Sequence, residues 1–424
     1  MKQQLSSKII QDLEDHMMKI ISQHADSDYE FTHYRNVCKY SLELARIRNL
    51  KEDRAVAAAI LHDIGRLLPN QKKKHAAAGA SLAKSILQEQ SLNEKTITKI
   101  CNAIRNHSEK SEVGTLYDEL LKDADSLAHR EELEYDGIRW MEQIRCDYAY
   151  ETKYEQTAYL TKKADLCTLN SETITELKKC LAFAPCELFQ KSNIHRIRIL
   201  SNQLRTLCHL METMSTCDSK ELSNLNKKVQ KLYKKTARLR ETQVYLGMIP
   251  ESTDWIEERR FLKDIIKREE EKFCKWNWSK VFEGLYSIHF ADPERNDIED
   301  YVRELFSDLK KSTVYFEKGS IKNLHKLRIQ GKKLLYLKEY ELLEICPQLL
   351  EVLKNLHSEI GSYHDLTVLC KLFYETKQLK SHPGIQLDFL NQKKQNWFQD
   401  QMDENNDKMK KDLLRLKIIL SKYL

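Results

Sequence analysis

Apolar residues recur every three or four positions along almost the whole chain, with Lys, Glu and other polar residues between them, a spacing that gathers one apolar stripe along a helix. The run "AAAILHDIGRLL" (57–68) is apolar and helical up to a His and an Asp. Further on, "NIHRIRILSNQLRTL" (193–207) and "NLHKLRIQGKKLLYL" (323–337) put Ile194, Ile197 and Leu204, or Leu324, Leu327 and Leu334, on one side and basic residues on the other. Breakers are scarce, with 10 Gly and 6 Pro in 424 residues, so an all-α protein is expected. The pattern divides into an N-terminal helical part over 1–150, a helical connector over 151–184 closed by Pro185, and a C-terminal helical bundle with an internal repeat over 185–424.

Composition changes this picture little, but it removes some classes. There is no run of about 18 uncharged apolar residues, so no membrane partner is expected. The amphipathic, acid-containing start "MKQQLSSKIIQDLEDH" does not read as a signal or transit peptide, and a cytoplasmic chain is expected. The 11 Cys are scattered without a C-x-x-C pair and read as small buried apolar residues in a reducing compartment. A net charge of +6 names no partner by itself, yet it is unevenly placed. Residues 191–240 hold 12 basic residues against 3 acidic ones, one basic face among helices of mixed charge.

Candidate chemistry enters at the helix ends. Thr32 in "FTHYRNVCKYSLELARI" reads as an N-cap with His33 in the first turn, and "ILHDIGR" supplies His62 and Asp63, with Gly65 as the left-handed residue that closes the helix. His75 opens the helix of "KKKHAAAGASLAKSIL", His107 closes that of "ICNAIRNHSEK", and "LLKDADSLAHREEL" offers Asp123 and Asp125. A His at a helix end also has an ordinary explanation, an imidazolium welcomed by the dipole, so the doublet alone decides nothing. Imidazoles together with carboxylates suit iron, manganese or zinc rather than calcium. Six such groups suffice for two cations, and an Asp beside a His is suited to bridge them. His16, His24 and His129 read as ordinary partly buried or surface histidines, and Lys72, Lys73 and Lys74 as a loop that could draw in an anion.

Through "THYRNV", "AAILHDIGR", "HAAAGASLAKSIL", "AIRNH" and "LLKDADSL", residues 15–150 resemble the HD phosphohydrolase superfamily. The likeness is greatest to the two-metal branch that includes bacterial hydrolases splitting dinucleoside polyphosphates symmetrically. The resemblance implies His33, His62, Asp63, His75, His107 and Asp125 as metal ligands, preferring Asp125 to Asp123. It implies Asp63 as the bridge and Arg66 near substrate phosphate, the two forming the catalytic pair, with two divalent or trivalent cations, iron or manganese.

The two C-terminal stretches share N-x-H-x-x-R: His195, Arg198 and Arg205 lie on one helix face, and His325, Arg328 and Lys332 on another. A duplicated unit of this kind can close into a bundle whose two basic faces line a groove. With "TARLRETQVYL" (236–246) and "LHSEIGSYHDLTVL" (356–369) added, residues 185–424 resemble the CHAD domain, the conserved histidine α-helical domain. That resemblance implies internal two-fold pseudosymmetry and a basic channel for inorganic polyphosphate. It turns His195, Arg198, Arg205, Arg240, His325, Arg328, Lys332 and Lys333 toward the polyanion. Asn202, Gln203 and Leu335 stand where Arg is common, and Lys227, Lys228, Lys231, Lys234 and Lys235 could compensate. The basic helices carry few aromatics beyond Tyr233 and Tyr336, so a bare phosphate chain is expected rather than nucleic acid.

The expected function is metal-dependent hydrolysis of phosphoanhydride bonds, in polyphosphate or dinucleoside polyphosphates, by a chain that also holds polyphosphate and associates with polyphosphate granules. The alternative is a non-catalytic polyphosphate-binding protein with a nucleotide-sensing HD domain. A phosphodiesterase acting on cyclic nucleotides or RNA ends would use the same metal chemistry.

Overall fold

The computed structural model describes residues 5–24, 27–68, 75–90, 92–150, 158–160, 166–182, 189–213, 219–276, 283, 285, 295–316, 321–378 and 392–423. Lys72, Lys73, Lys74 and Pro185 lie outside them. Helices form nearly all of it, divided into a first unit of residues 1–157 with 410–424 and a second of residues 158–409. Among the described residues no helix is long and apolar enough to cross a membrane.

The first unit is built from α1 (Ser7–Ile21), α2 (Ser27–Ile47), α3 (Glu52–Leu61), α4 (His75–Glu89), α5 (Glu94–Asn106), α6 (Leu116–Leu133) and α7 (Trp140–Tyr148). Ser6 caps α1, which buries Ile9, Leu13, Met17 and Ile21 at four-residue spacing. α2 begins at Ser27 rather than at the expected Thr32 cap: the Thr32 hydroxyl donates to the Asp28 carbonyl at 2.9 Å, so His33 lies inside the helix, where packing holds it. From Ala57 to Leu61 α3 is buried on every side, since Ala55, Ala57, Ala58 and Ala59 let its neighbours approach closely. Asn93 caps α5, and Thr115 with Asp118 forms a capping box on α6.

Gly65 serves a different end from the expected left-handed closure, since its φ is not in the left-handed region. A Cβ there would stand 2.1 Å from the His75 carbonyl oxygen and 2.5 Å from the Gly79 nitrogen. The missing side chain therefore lets the end of α3 touch the start of α4 and brings the segment of His62 and Asp63 to that of His75.

The stretch 151–184, expected to be a connecting helix, holds the short strand β1 (Ala158–Leu160) as well as α8 (Leu166–Leu181). β1 pairs antiparallel with β2 (Leu343–Ile345) in the register Ala158↔Ile345, and both count with the second unit. That unit continues with α9 (Lys191–Thr213), α10 (Ser219–Lys235), α11 (Ala237–Met248), α12 (Ile256–Cys274), α13 (Arg295–Phe316), α14 (Ile321–Glu339) and α15 (Pro347–Gln378). The two N-x-H-x-x-R helices, α9 and α14, have matching neighbours: α8 and α10 pack on α9, and α13 and α15 on α14. The last helix, α16 (Gln392–Tyr423), gives Trp397 and Phe398 to an aromatic core with Trp255, Phe261 and Phe373 in the second unit. From Lys410 on it counts with the first, where Leu414 and Ile418 pack on Ile144.

Gly65→Ala forces backbone apart with no flexible side chain to yield, so it is expected to destabilise the first unit by more than about 2 kcal/mol. Thermal unfolding followed by circular dichroism reads this as a lowered first transition, and an unchanged melt would show that α3 and α4 do not need the contact.

Candidate metal centre and basic cavity

His62 follows the last residue of α3, and its Nδ1–H donates to the Ala59 carbonyl at 2.7 Å. His107 ends α5 in the same way, donating from Nδ1 to Ile104 O at 2.6 Å. In a neutral ring this leaves Nε2 as a bare acceptor. His33 reaches Glu132 from Nδ1 at 3.0 Å, and Asn36 donates to the other Glu132 oxygen at 3.1 Å. All three Nε2 atoms therefore face one interior.

Asp63 stands at the middle. Its Oδ2 lies 3.7 Å from His62 Nε2 and 4.0 Å from His33 Nε2, while its Oδ1 lies 3.3 Å from His107 Nε2 and 3.6 Å from His75 Nε2. Each oxygen thus faces its own pair of imidazoles. Asp63 Oδ1 is buried without a conventional hydrogen-bond partner, and a bare imidazole nitrogen pointed at a carboxylate is repulsive unless a proton or a metal cation joins them. Ligands about 2.1 Å from one metal sit about 3–4 Å apart, and these separations match. Asp125 Oδ1 adds a donor 3.2 Å from His33 Nε2, its other oxygen held by the buried Lys110 ammonium at 2.5 Å.

The donors fall into three groupings that could hold a metal ion: His33, His62 and Asp63; Asp63, His75 and His107; and His33, Asp125 and His129. All six expected ligand residues appear in them. Asp123 points elsewhere, paired with Arg48 and with the fully buried Arg145. Arg66 sits at the rim, one-third exposed, 3.3 Å from Asp63 Oδ2 and 3.6 Å from Glu30.

Burial pushes the His62 imidazole down to about 4 against the pull of Asp63. Burial also opposes charge on His33, but Asp125 and Glu132 outweigh it and push that ring up to about 10. Burial would raise Asp125, yet Lys110, His129 and His33 hold it well below the carboxylate range. The ionised carboxylates and the neutral His62 offer donors to a cation, which would take the place of the proton held on His33.

Sequence reasoning missed His129, Glu132, Glu142 and Lys110. His129 Nδ1 lies 2.9 Å from Glu142 and its Nε2 3.7 Å from Asp125 Oδ1. The signal was there for one of them, since Asp125 and His129 stand four apart on α6 and so share a face.

The second unit contains a cavity of about 540 Å³ between α9, α10 and α14. Arg205, His325, Arg328, Lys332 and Lys333 line it, five of the eight expected polyanion-facing residues, with Asn202, Tyr233 and Tyr336. Arg198 lies behind this wall: its Nη1 donates to the Tyr233 carbonyl at 2.9 Å and its guanidinium sits 3.9 Å from that ring's centre. His195 and Arg240 belong to the same charged cluster. Burial lowers both, and like charges lower them further, Arg240, Lys332 and Arg198 acting on His195 and Arg198 on Arg240.

Burial, then Arg328 and Arg198, push Lys332 down to about 8. Burial, then Arg328 and Lys332, push His357, which the sequence did not single out, down to about 3. Gly361 makes room for the cluster: a Cβ there would stand 2.8 Å from Arg328 Nη2. The compensating lysines Lys227, Lys228, Lys231, Lys234 and Lys235 are exposed on α10 and do not line the cavity.

A sequence model of the HD domain matches residues 31–130, and one of the CHAD domain matches residues 187–373. No curated protein matches the chain. Among solved structures it is similar to the crystal structure of the CHAD domain from the plant Ricinus communis, at 15% identity and a TM-score of 0.47, covering 58% of this chain and 90% of that one.

Lys110→Met removes the ammonium that meets Asp125 Oδ2 at 2.5 Å and leaves that oxygen buried. A loss of about 3–5 kcal/mol is expected, read as a shifted denaturant midpoint; a shift below about 1 kcal/mol would show that water reaches Asp125.

Proposed function

We propose, from the premise that an HD domain and a CHAD domain share this chain, that it is a metal-dependent phosphohydrolase acting on phosphoanhydride bonds, with a second unit that holds a phosphate chain. The observation that carries the catalytic half is Asp63, whose two oxygens face two separate imidazole pairs. In this reading His33, His62, Asp63 and Asp125 hold one cation and Asp63, His75 and His107 another, iron or manganese by donor type. When bound, the cations supply Lewis acidity to a phosphoryl oxygen and acidify a water molecule.

The chain's own groups set the rest. The Ala59 and Ile104 carbonyls and Glu132 fix the rings that present Nε2, which supports a rigid centre. Arg66 offers part of its guanidinium to a second phosphoryl group while Asp63 and Glu30 steady it. His195, Arg198, Arg205, Arg240, His325, Arg328, Lys332 and Lys333 serve polyphosphate, and mutual repulsion without a counter-ion is what an anion relieves. Linking both activities in one chain raises the effective concentration of a held substrate. The dense ligand set favours turnover over mere nucleotide sensing.

Three outcomes test this. Manganese-loaded protein is expected to release phosphate or nucleotides from polyphosphate or diadenosine tetraphosphate, with Asp63→Ala slower by more than about 100-fold. Absence of turnover on both, with metal bound, leaves the binding-protein reading. Arg328→Glu is expected to weaken polyphosphate binding about 10-fold or more and to lower its salt dependence.

Binding should also depend on pH. Lys332 titrates at about 8 in the free chain and higher once a polyanion is bound, so the complex holds more protons above pH 8. Affinity then falls as pH climbs from about 8 to about 10. Lys332→Arg should flatten that fall, as titration calorimetry across the range would read.

A further inference from the structure

The imidazoles of the first unit form a row. Ring centres follow one another from His129 to His33 at 4.8 Å, His33 to His62 at 5.4 Å, His62 to His107 at 5.3 Å and His107 to His75 at 5.2 Å. The three inner side chains are buried, while the two ends, His129 and His75, keep about a fifth of their surface exposed.

His129 is built like the ligands rather than like a core histidine. Its Nδ1 is tied outward to Glu142 at 2.9 Å, as His33 is tied to Glu132 and His62 and His107 to backbone carbonyls. Arg139 in turn holds Glu142 through two hydrogen bonds of 3.1 Å. What remains is an Nε2 facing Asp125 Oδ1 at 3.7 Å. Asp125 does not need His129 as a counter-charge, because Lys110 already sits on its other oxygen at 2.5 Å.

We propose that His129 is a seventh ligand of the metal centre, closing the side formed by His33 and Asp125 and oriented by Glu142; this rests on the metal-centre reading given above. One imidazole lone pair serves one cation, so His33 cannot divide itself between two of the donor groupings. The two groupings that contain His33 meet at that ring. In this assignment one ion sits there and draws on Asp125 Oδ1 and His129 from one grouping and on His62 and Asp63 Oδ2 from the other, whereas the second ion draws on His75, His107 and Asp63 Oδ1. The first position is nearly filled by protein and binds tightly. The second keeps open positions and is the one at which a phosphoryl oxygen and water enter.

The test counts metal instead of turnover. Full-length protein stripped by chelator is titrated with manganese(II), with the bound equivalents read by mass spectrometry of the metal and by electron paramagnetic resonance. The wild type should take two equivalents of unequal affinity. His129→Ala and the gentler His129→Gln should weaken the tighter step by about 10- to 100-fold and leave the other unchanged, with Glu142→Gln producing a smaller loss in the same step.

Circular dichroism checks that each variant is folded, and Asp63→Ala should lose both steps. A His129→Gln variant that is folded and binds both equivalents as the wild type does overturns the assignment while the metal centre stands. A wild type that binds no manganese removes the centre itself, and this ligand with it.

Discussion

A buried carboxylate facing the bare nitrogens of buried imidazoles is the constraint on which the first unit depends. Asp63 is ionised, His62 is held neutral, and the His62 and His107 rings are turned by backbone carbonyls so that their acceptor atoms look inward. With every ring neutral such an arrangement pits lone pair against lone pair, and a proton on a ring, as on His33, or a divalent cation between them reverses the sign. The surrounding fold reads as scaffolding for that arrangement. An alanine-rich α3 ends where His62 and Asp63 must stand, and Gly65 lets the segment bearing His75 press against it. The unusually polar α6 carries Asp125 inward while Arg145 bridges Glu119 and Asp123 on the same helix, with Lys122 and Arg48 as further counter-charges.

The second unit shows the opposite electrostatics. There like charges are crowded together, and burial and mutual repulsion lower Lys332, His195 and Arg240. Aromatic rings make this tolerable: Arg198 lies on Tyr233, and the Lys332 ammonium is 5.4 Å from the centre of Tyr336. One unit thus brings carboxylates and imidazoles together, and the other brings cations together. In the proposed function both arrangements serve phosphate, the first through metals and the second through side chains.

Much of this was legible in the sequence, for physical reasons. Helical periodicity and scarce Gly and Pro survive any detail of packing, and the candidates His62, His75 and His107 stand out because helix ends are marked by their own signals. What stayed hidden is what depends on distant partners. Glu132 matters because it meets His33 across 99 residues, and His129 looks ordinary until Glu142 on the next helix turns its ring. Thr32 read as a cap because it precedes an apolar run, yet the acidic turn Asp28–Glu30 extends α2 upstream. The strand pair joining 158–160 to 343–345 is three residues long on each side, too short to show a period of two.

The duplication in the second unit is approximate, and its departures follow from the same electrostatics. α10 and α11 are divided at Thr236, whereas α15 runs unbroken over 32 residues, and Arg240-Glu241 in the first copy answers to His364-Asp365 in the second. The two acids feel each other: burial and then Asp365, opposed by Arg198, raise the Glu241 carboxyl. One copy supplies Arg198, Arg205 and Arg240 and the other Arg328, Lys332 and Lys333, so the arginines of the first keep their charge while the second contains the lysine pushed down to about 8. In the register of the repeat Lys332 and Lys333 answer to Asn202 and Gln203, and Leu335 to Arg205, so an exact duplicate would carry no lysine here; the divergence of one half is what puts a group pushed down to about 8 into the cluster.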